Sequence, residues 1–456
     1  MRRFATVLLL LVFCAMLRAE KFETIGTINI RGLSDLTPKL TQLLQNVDPK
    51  KKSFPVIAAA AITFNPEMRG FDLSNRIKFF YYMPTESKGA KPVWCMLVNR
   101  VSGVPLPEQV SIMDEKAFTK AVDTRALVSN SNELLNTLSE APALADTMNE
   151  IDVQFFPSVM AKINPHSLDK LVAWTGDLLT NGEVSAAETE KFSRHNEMLK
   201  QLMVQTASAS VGLRIRNDRL EVNFEFLPEK KTKFAEFMAL QAGNDNSLPG
   251  LVSGKNISAA FNVSPFPPAQ KYLAKFLTDL ESNLSKQEQK DYLRLMLAVL
   301  ANSNGKLSYF MEDENDHLNA YARFYCNDAE AAGEVDKALK GIPSFPVLKN
   351  NFSQLYAGKN DAVNLYSVVK GPHVVFAAGK LNLENAEKLV DSVSSKLPDL
   401  DQYGMLYANV NFNSRQYLTA EMDCAKNKSL RLRVTLFAAM LKKFVPENIE
   451  KQQQSR

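Results

Sequence analysis

The chain has 456 residues, a formal net charge of +4, 45% hydrophobic residues, four cysteines and four histidines. Such a length and apolar content support large cores and two or more domains, and exclude a disordered chain or a disulfide-stapled miniprotein. The near-balanced charge excludes a basic nucleic-acid groove, and the few scattered histidines leave little for imidazole-based metal chemistry.

The chain opens with Met1, Arg2 and Arg3, continues as an apolar run from Phe4 to Leu17, and closes it with Arg18, Ala19, Glu20 and Lys21. A run of about 14 residues is too short for a bilayer core of roughly 30 Å but suits the h-region of a cleaved signal peptide. Cleavage is expected after Ala19, with an extracytoplasmic destination in the periplasm or outside the cell. Phe13 ahead of Cys14 opposes lipid attachment there. Loss of Arg2, Arg3 and Arg18 lowers the net charge from +4 to +1. No later run approaches the length of a membrane-spanning helix, so none is expected in the mature chain. Lys50 to Lys52, and Lys230, Lys231 and Lys233, read as solvated loops. Cys95, Cys326 and Cys424 remain, enough for one disulfide at most; Cys95 and Cys326 lie in apolar strand-like runs and read as buried small hydrophobes.

Periodicity then predicts recurring elements. Thr24 to Ile30 reads as a strand, Ser34 as a helix cap, and Leu36, Leu40, Leu43 and Leu44 as the core stripe of that helix. Ile77 to Met83 and Val93 to Val98 read as a hairpin, followed by a strand at Arg125 to Val128 and a helix at Asn132 to Leu138. Ile151 to Phe156 begins a second series, with helices over 166–179 and 186–206. A hairpin follows, Val211 to Arg216 and Leu220 to Phe226, with Leu213, Ile215, Leu220, Val222 and Phe224 facing helices and Arg214, Arg216 and Glu221 facing outward. A helix at Glu229 to Leu240 closes the series.

Ile257 to Val263, helices around Tyr272 to Leu280 and Lys286 to Leu300, a hairpin of Lys306 to Met311 with Leu318 to Tyr325, and a helix at Ala329 to Leu339 repeat that order about 100 residues on. Val374 to Ala378 with Leu383 to Val393 repeats the earlier strand and helix. Leu406 to Phe412 starts a shorter copy that ends in a helix at Leu432 to Phe444. The expected fold is α+β: two lobes of duplicated strand-helix-helix-hairpin-helix units, with mixed or antiparallel sheets. The expected boundaries are 1–19 signal peptide, 20–243 N-terminal lobe, 244–256 linker and 257–456 C-terminal lobe, the linker being rich in Gly, Asn, Ser and Pro.

Catalytic signatures are missing. His195 is followed by Asn196 and Glu197 with no second histidine one turn away, so HExxH is not formed. The acidic turn Glu312 to Asp316 has Leu318 where a calcium loop needs its glycine. Ser253 between Gly250 and Gly254 is displaced from the G-x-S-x-G elbow, and Leu381 replaces the hydroxyl residue of a phosphate loop after Gly379 and Lys380. No catalytic residue, cofactor or metal site is assigned. The N-x-S triplets at Asn256, Asn262, Asn283, Asn351 and Asn427 matter only for glycosylation in a eukaryotic host.

Phe71, Asp72 and Leu73, with Asn75 and Arg76 leading into Ile77 to Met83, give the chain a texture that resembles a group of uncharacterised exported bacterial proteins. That resemblance extends over most of the chain, implies an extracytoplasmic α+β protein, and brings no catalytic residues. In architecture the paired lobes are also similar to the non-catalytic subunits of pitrilysin-type metallopeptidases, whose inverted HxxEH zinc motif is absent here. The leading expectation is therefore a non-catalytic binding or interaction module that acts through an interlobe cleft or a sheet face, with a protein or an apolar small molecule as partner and no nucleic acid. Trp94 and Trp174 are its candidate contacts, each weighed against ordinary core packing. A carboxylate-dependent hydrolase and a structural component of an envelope assembly are the alternatives.

Overall fold

The computed structural model describes residues 22–84, 91–112, 115–138, 149–163, 200–243, 247–250, 256–282, 286–314, 317–358, 363–394, 404–412 and 415–444. These fall into two compact units. Unit 1 runs to Glu236 and includes Lys428–Arg431 and the residues from Thr435 on; unit 2 comprises Phe237–Asn427 with Leu432–Val434.

Unit 1 contains β1 (Phe22–Ile30), α1 (Leu33–Val47), α2 (Phe54–Thr63), β2 (Phe71–Asp72), β3 (Ile77–Pro84), β4 (Val93–Arg100), β5 (Gln109–Ile112), β6 (Glu115–Val122), β7 (Arg125–Ser129), α3 (Asn132–Thr137), β8 (Ile151–Phe155), α4 (Pro157–Ile163), β9 (Thr206–Ile215) and β10 (Arg219–Pro228), followed by the start of α5 (Lys233–Ala242). Its strands pair antiparallel in the order β5-β6-β7-β4-β3-β1-β8-β9-β10. The centre is apolar on both faces, as the unbroken apolar runs of β3 and β4 require. On one face Ile28, Tyr81, Trp94, Met96 and Val128 pack with Met160 of α4. On the other, Phe80, Cys95, Leu97 and Leu127 meet Leu134 and Leu135 of α3.

Unit 2 contains β11 (Ile257–Asn262), α6 (Pro267–Ser282), α7 (Gln287–Asn302), β12 (Ser303–Glu314), β13 (His317–Cys326), α8 (Ala329–Lys340), β14 (Ser353–Tyr356), β15 (Asn364–Lys370), β16 (His373–Gly379), α9 (Leu383–Ser394), β17 (Leu406–Phe412) and β18 (Arg415–Cys424). The antiparallel order is β14-β15-β16-β13-β12-β11-β17-β18. Leu295, Val299, Ala332, Val335 and Leu339 of α7 and α8 cover one face beside Cys326 and Val374. Ala386 and Val390 of α9 pack on the other, with Phe310, Tyr321 and Tyr366. The last elements are β19 (Leu430–Phe437) and α10 (Ala438–Phe444). Within unit 1, Ala438 and Leu441 pack on Leu36, Leu40, Leu43 and Val47 of α1.

The molecule is thus α+β, sheet-dominated, with antiparallel pairing throughout the ladders given above. Several local expectations need correction. Leu432 to Phe437 is strand, because Leu430, Leu432 and Val434 alternate with Arg431 and Arg433 at period two, and helix begins only at Ala438. Ser34 lies inside α1 with its hydroxyl on the Ser74 carbonyl, and Gly32 takes the N-cap position. The helix expected from Glu229 starts at Lys233, where the Thr232 hydroxyl accepts the Ala235 amide at 3.2 Å. Pro267 and Pro268 open α6, proline being suited to a first helical turn. The helices expected over 166–179 and 186–206 lie largely outside the described residues, and Thr206 opens β9.

Candidate functional site

Trp94 is 2% exposed on β4. Its indole N–H donates to Glu115 Oε2 at 3.1 Å, and its ring tilts against Phe79 at 6.2 Å. The side chain sits in the core of unit 1 with its polar edge satisfied. Trp174 lies outside the described residues. Cys95, Cys326 and Cys424 are all free thiols.

Two carboxylates that alternation alone would not bury are enclosed in unit 1. Glu150 accepts the Ile215 amide at 2.7 Å and the ammonium of Lys39. Burial pushes its carboxyl up, but the Lys39 and Ile215 hydrogen bonds and the charges of Lys39 and Arg31 outweigh that and hold it below its ordinary value. Glu221, expected to face outward, is 9% exposed. Arg214, Arg216 and Arg219 surround it at 3.9, 3.6 and 3.1 Å, so its partners neutralise it in place of water. Both are satisfied ion clusters with no vacancy for a ligand.

Unit 2 presents the opposite case. On β13, Tyr321, Arg323 and Tyr325 alternate onto the face that carries α9, while Phe324 and Cys326 enter the other core. Arg323 is 7% exposed. Its Nε donates to Tyr321 Oη at 2.9 Å, and its guanidinium carbon lies 5.9 Å from the Tyr321 ring centre and 6.0 Å from that of Tyr325. Among the described residues no carboxylate reaches ion-pair distance of Arg323, and nothing accepts from its two Nη groups.

The neighbours of Arg323 follow from strand register. Arg323 lies opposite Ser308 on β12 and Val375 on β16, and Tyr325 lies opposite His373. Tyr321 stacks on Phe310 at 5.2 Å, and the Tyr325 and His373 rings meet edge to face at 4.6 Å. The Ser308 hydroxyl donates to the Gly250 carbonyl at 2.9 Å and the Lys306 ammonium to the Ser247 hydroxyl at 3.1 Å, so residues 247–250 lie against β12 on this face. Burial, and after it the charge of Arg323, hold the His373 imidazole below its ordinary value, against a smaller raising contribution from the Pro372 backbone.

Unit 1 supplies a control for this arrangement. β4 holds the place in its sheet that β13 holds in unit 2, and its corresponding face carries Cys95 and Leu97 inside an apolar cluster. The fold therefore builds this strand without a charge. The sequence does carry one signal for the site: Arg323 is the single charged residue in Ala320 to Cys326, a run otherwise apolar or aromatic. Reading that run as an ordinary buried strand hid it.

A concavity of about 470 Å³ lies in unit 1 between α1, α2 and the turn Asp72 to Ser74. Asp72 shapes its rim by accepting the Ser74 amide at 3.1 Å, the Ser74 hydroxyl and the Asn75 amide group at 2.5 Å. The Ser74 hydroxyl contributes most to holding the Asp72 carboxyl below its ordinary value, opposed by burial. The Phe71 to Arg76 segment thus has a local turn-forming role.

No protein-family model matches the chain, and no curated protein and no solved structure is significantly similar to it. Among the described residues, no group of three His, Cys, Asp or Glu side chains could hold a metal ion, and no helix is long and apolar enough to cross a membrane.

Proposed function

We propose that the protein is exported and acts as a non-catalytic binding module whose ligand site lies at Arg323 on the sheet face of unit 2. The ligand class it fits is an organic carboxylate with an apolar body. One observation carries this reading: an arginine 7% exposed with no counter-ion among the described residues, whose Nη groups keep what solvent contact the residue has and hydrogen-bond to no described residue. An isolated buried charge costs several kcal/mol, and one hydrogen bond with two ring faces offsets only part of that. A carboxylate would accept from the two Nη groups as a fork, and the Tyr321 and Tyr325 rings would border its apolar portion. An apolar partner was expected from the sequence; the arginine adds the anionic end.

We further infer that units 1 and 2 are divergent copies, each forming one lobe. The shared order of eight strands supports this, as do the two-helix crossovers α1–α2 and α6–α7 between each first strand and its hairpin. Lys120 on β6 donates to the Leu135 and Leu138 carbonyls beside α3, and Lys370 on the equivalent β15 reaches Asp391 of α9. The anion site then arose in one copy.

Thermal unfolding of the full chain with benzoate, decanoate and phosphate tests the site. Benzoate or decanoate should raise the midpoint, and Arg323→Gln should abolish the rise. Equal responses from the parent and Arg323→Gln, or from decanol and decanoate, would remove the basis for the assignment. Export is tested separately by sequencing the secreted product, which should start at Glu20.

A further inference from the structure

Helix α2 reads Phe-Pro-Val-Ile-Ala-Ala-Ala-Ala-Ile-Thr and carries no ionisable side chain. It packs along α1 with one side and leaves the other uncovered: Val56 is 52% exposed, Ile57 63%, Ile62 45%, and Phe64 just beyond its end 82%. Phe54 at its start is also exposed. An apolar surface of this kind without a polar element marks an interaction site. α6 of unit 2 also exposes Tyr272 and Phe276, but Lys271 and Lys275 interleave with them and their stems can cover apolar surface. α2 has no such cover.

Charge beside α2 identifies what would lie against it. The turn that feeds the helix is Lys50, Lys51 and Lys52; Lys51 is held by Asp48 at 3.4 Å, while Lys50 and Lys52 are exposed. A stretch of exposed Phe, Val and Ile bordered at one end by lysines has the chemistry of an interfacial helix, with its apolar side among acyl chains and its cations among anionic headgroups. A protein partner of similar affinity would ordinarily be met by aromatic anchors combined with hydrogen-bonding groups, and the exposed side chains of α2 offer none of the latter except Thr63, whose hydroxyl already donates to the Ala59 carbonyl at 2.8 Å. The geometry points to α2, with Lys50 and Lys52, as a docking element for the surface of an anionic lipid bilayer.

The test is flotation of the full chain with phosphatidylcholine vesicles and with vesicles that also contain phosphatidylglycerol, at low and high salt. Binding is expected to the anionic vesicles and to fall with salt. Lys50→Glu/Lys52→Glu, which alters only exposed side chains, should weaken it by at least about fivefold per lysine. Ile57→Ser/Phe64→Ser should abolish it while the far-ultraviolet circular dichroism stays unchanged. Absence of binding to anionic vesicles, binding that neither variant reduces, or a self-association of the parent that Ile57→Ser/Phe64→Ser dissolves would each overturn the assignment, the last in favour of a second copy of the chain.

Discussion

Replacing Arg323 by methionine should stabilise unit 2 in the absence of ligand. The losses can be set out from the geometry. A charged hydrogen bond to Tyr321 Oη at 2.9 Å is worth about 2 kcal/mol, and the two ring contacts near 6 Å about 0.5–1 kcal/mol each. Against them stands the cost of keeping an unpaired guanidinium in a residue 7% exposed, several kcal/mol after relaxation and at most about 5, since its Nη groups keep some contact with solvent. Methionine keeps most of the apolar stem and adapts to the gap between Val375 and Ser308. The balance is a gain of at most about 1–2 kcal/mol for Arg323→Met. Because the chain holds two units, a global melt need not be two-state. Hydrogen exchange of peptides spanning β12, β13 and β16 reads the site locally, and slower exchange in Arg323→Met is expected. A loss of about 1 kcal/mol or more in those peptides would mean that the arginine holds the sheet together, and the argument from an uncompensated charge would fail.

Three further outcomes are expected. Glu150→Ala should cost about 3 kcal/mol, since it strips a buried amide and an ammonium of their acceptor; a urea-unfolding midpoint unchanged from the parent would refute it. The folded carboxyl lies below its ordinary 4.5, so its contribution is complete above that value and is lost as pH falls through the lower folded one; Glu150→Gln should flatten this acid limb. Gly305→Ala should cost at least about 2 kcal/mol, because φ is +86° and a Cβ would lie 1.8 Å from the Val263 carbonyl oxygen, whereas Gly103→Ala, at φ +75° with open space around it, pays only the backbone strain; equal midpoints for the two variants would contradict the clash. Burial pushes the Cys95 thiol up to about 12, so iodoacetamide at pH 8 should modify the half-buried Cys424 and leave Cys95 intact until the chain unfolds, as peptide mass spectrometry will read.

Much of the element order was legible because it is written in short-range periodicity. The β9–β10 and β12–β13 hairpins follow from alternation and turn residues, β3–β4 from two unbroken apolar runs, and α8 from its 3.6-residue stripe. Elements without a clean period were missed. α2 is apolar on every side and gives no amphipathic signal, and β5, β6, β14, β15 and β18 are short or carry mixed faces. The extended Leu432 to Phe437 segment reads as helix in the sequence because its alternation runs straight into the apolar start of α10.

By itself the amino-acid sequence determined the strand and helix inventory around the hairpins, the burial of Cys95 and Cys326, and the lack of any motif for metal or nucleophilic chemistry. Only the tertiary structure decided which strands are neighbours and which charges meet. β1 pairs with both β3 and β8, and β13 with β16, across separations that no local pattern encodes. The fold sets Lys39 on Glu150 from a distant helix and places Val375 and no carboxylate beside Arg323, whereas the arginines around Glu221 come from its own hairpin and the two tyrosines beside Arg323 from its own strand. A charged side chain reads the same in sequence whether it is paired, as Glu150 is with Lys39, or left without a counter-ion among the described residues, as Arg323 is, because that difference depends on which distant elements the fold brings alongside.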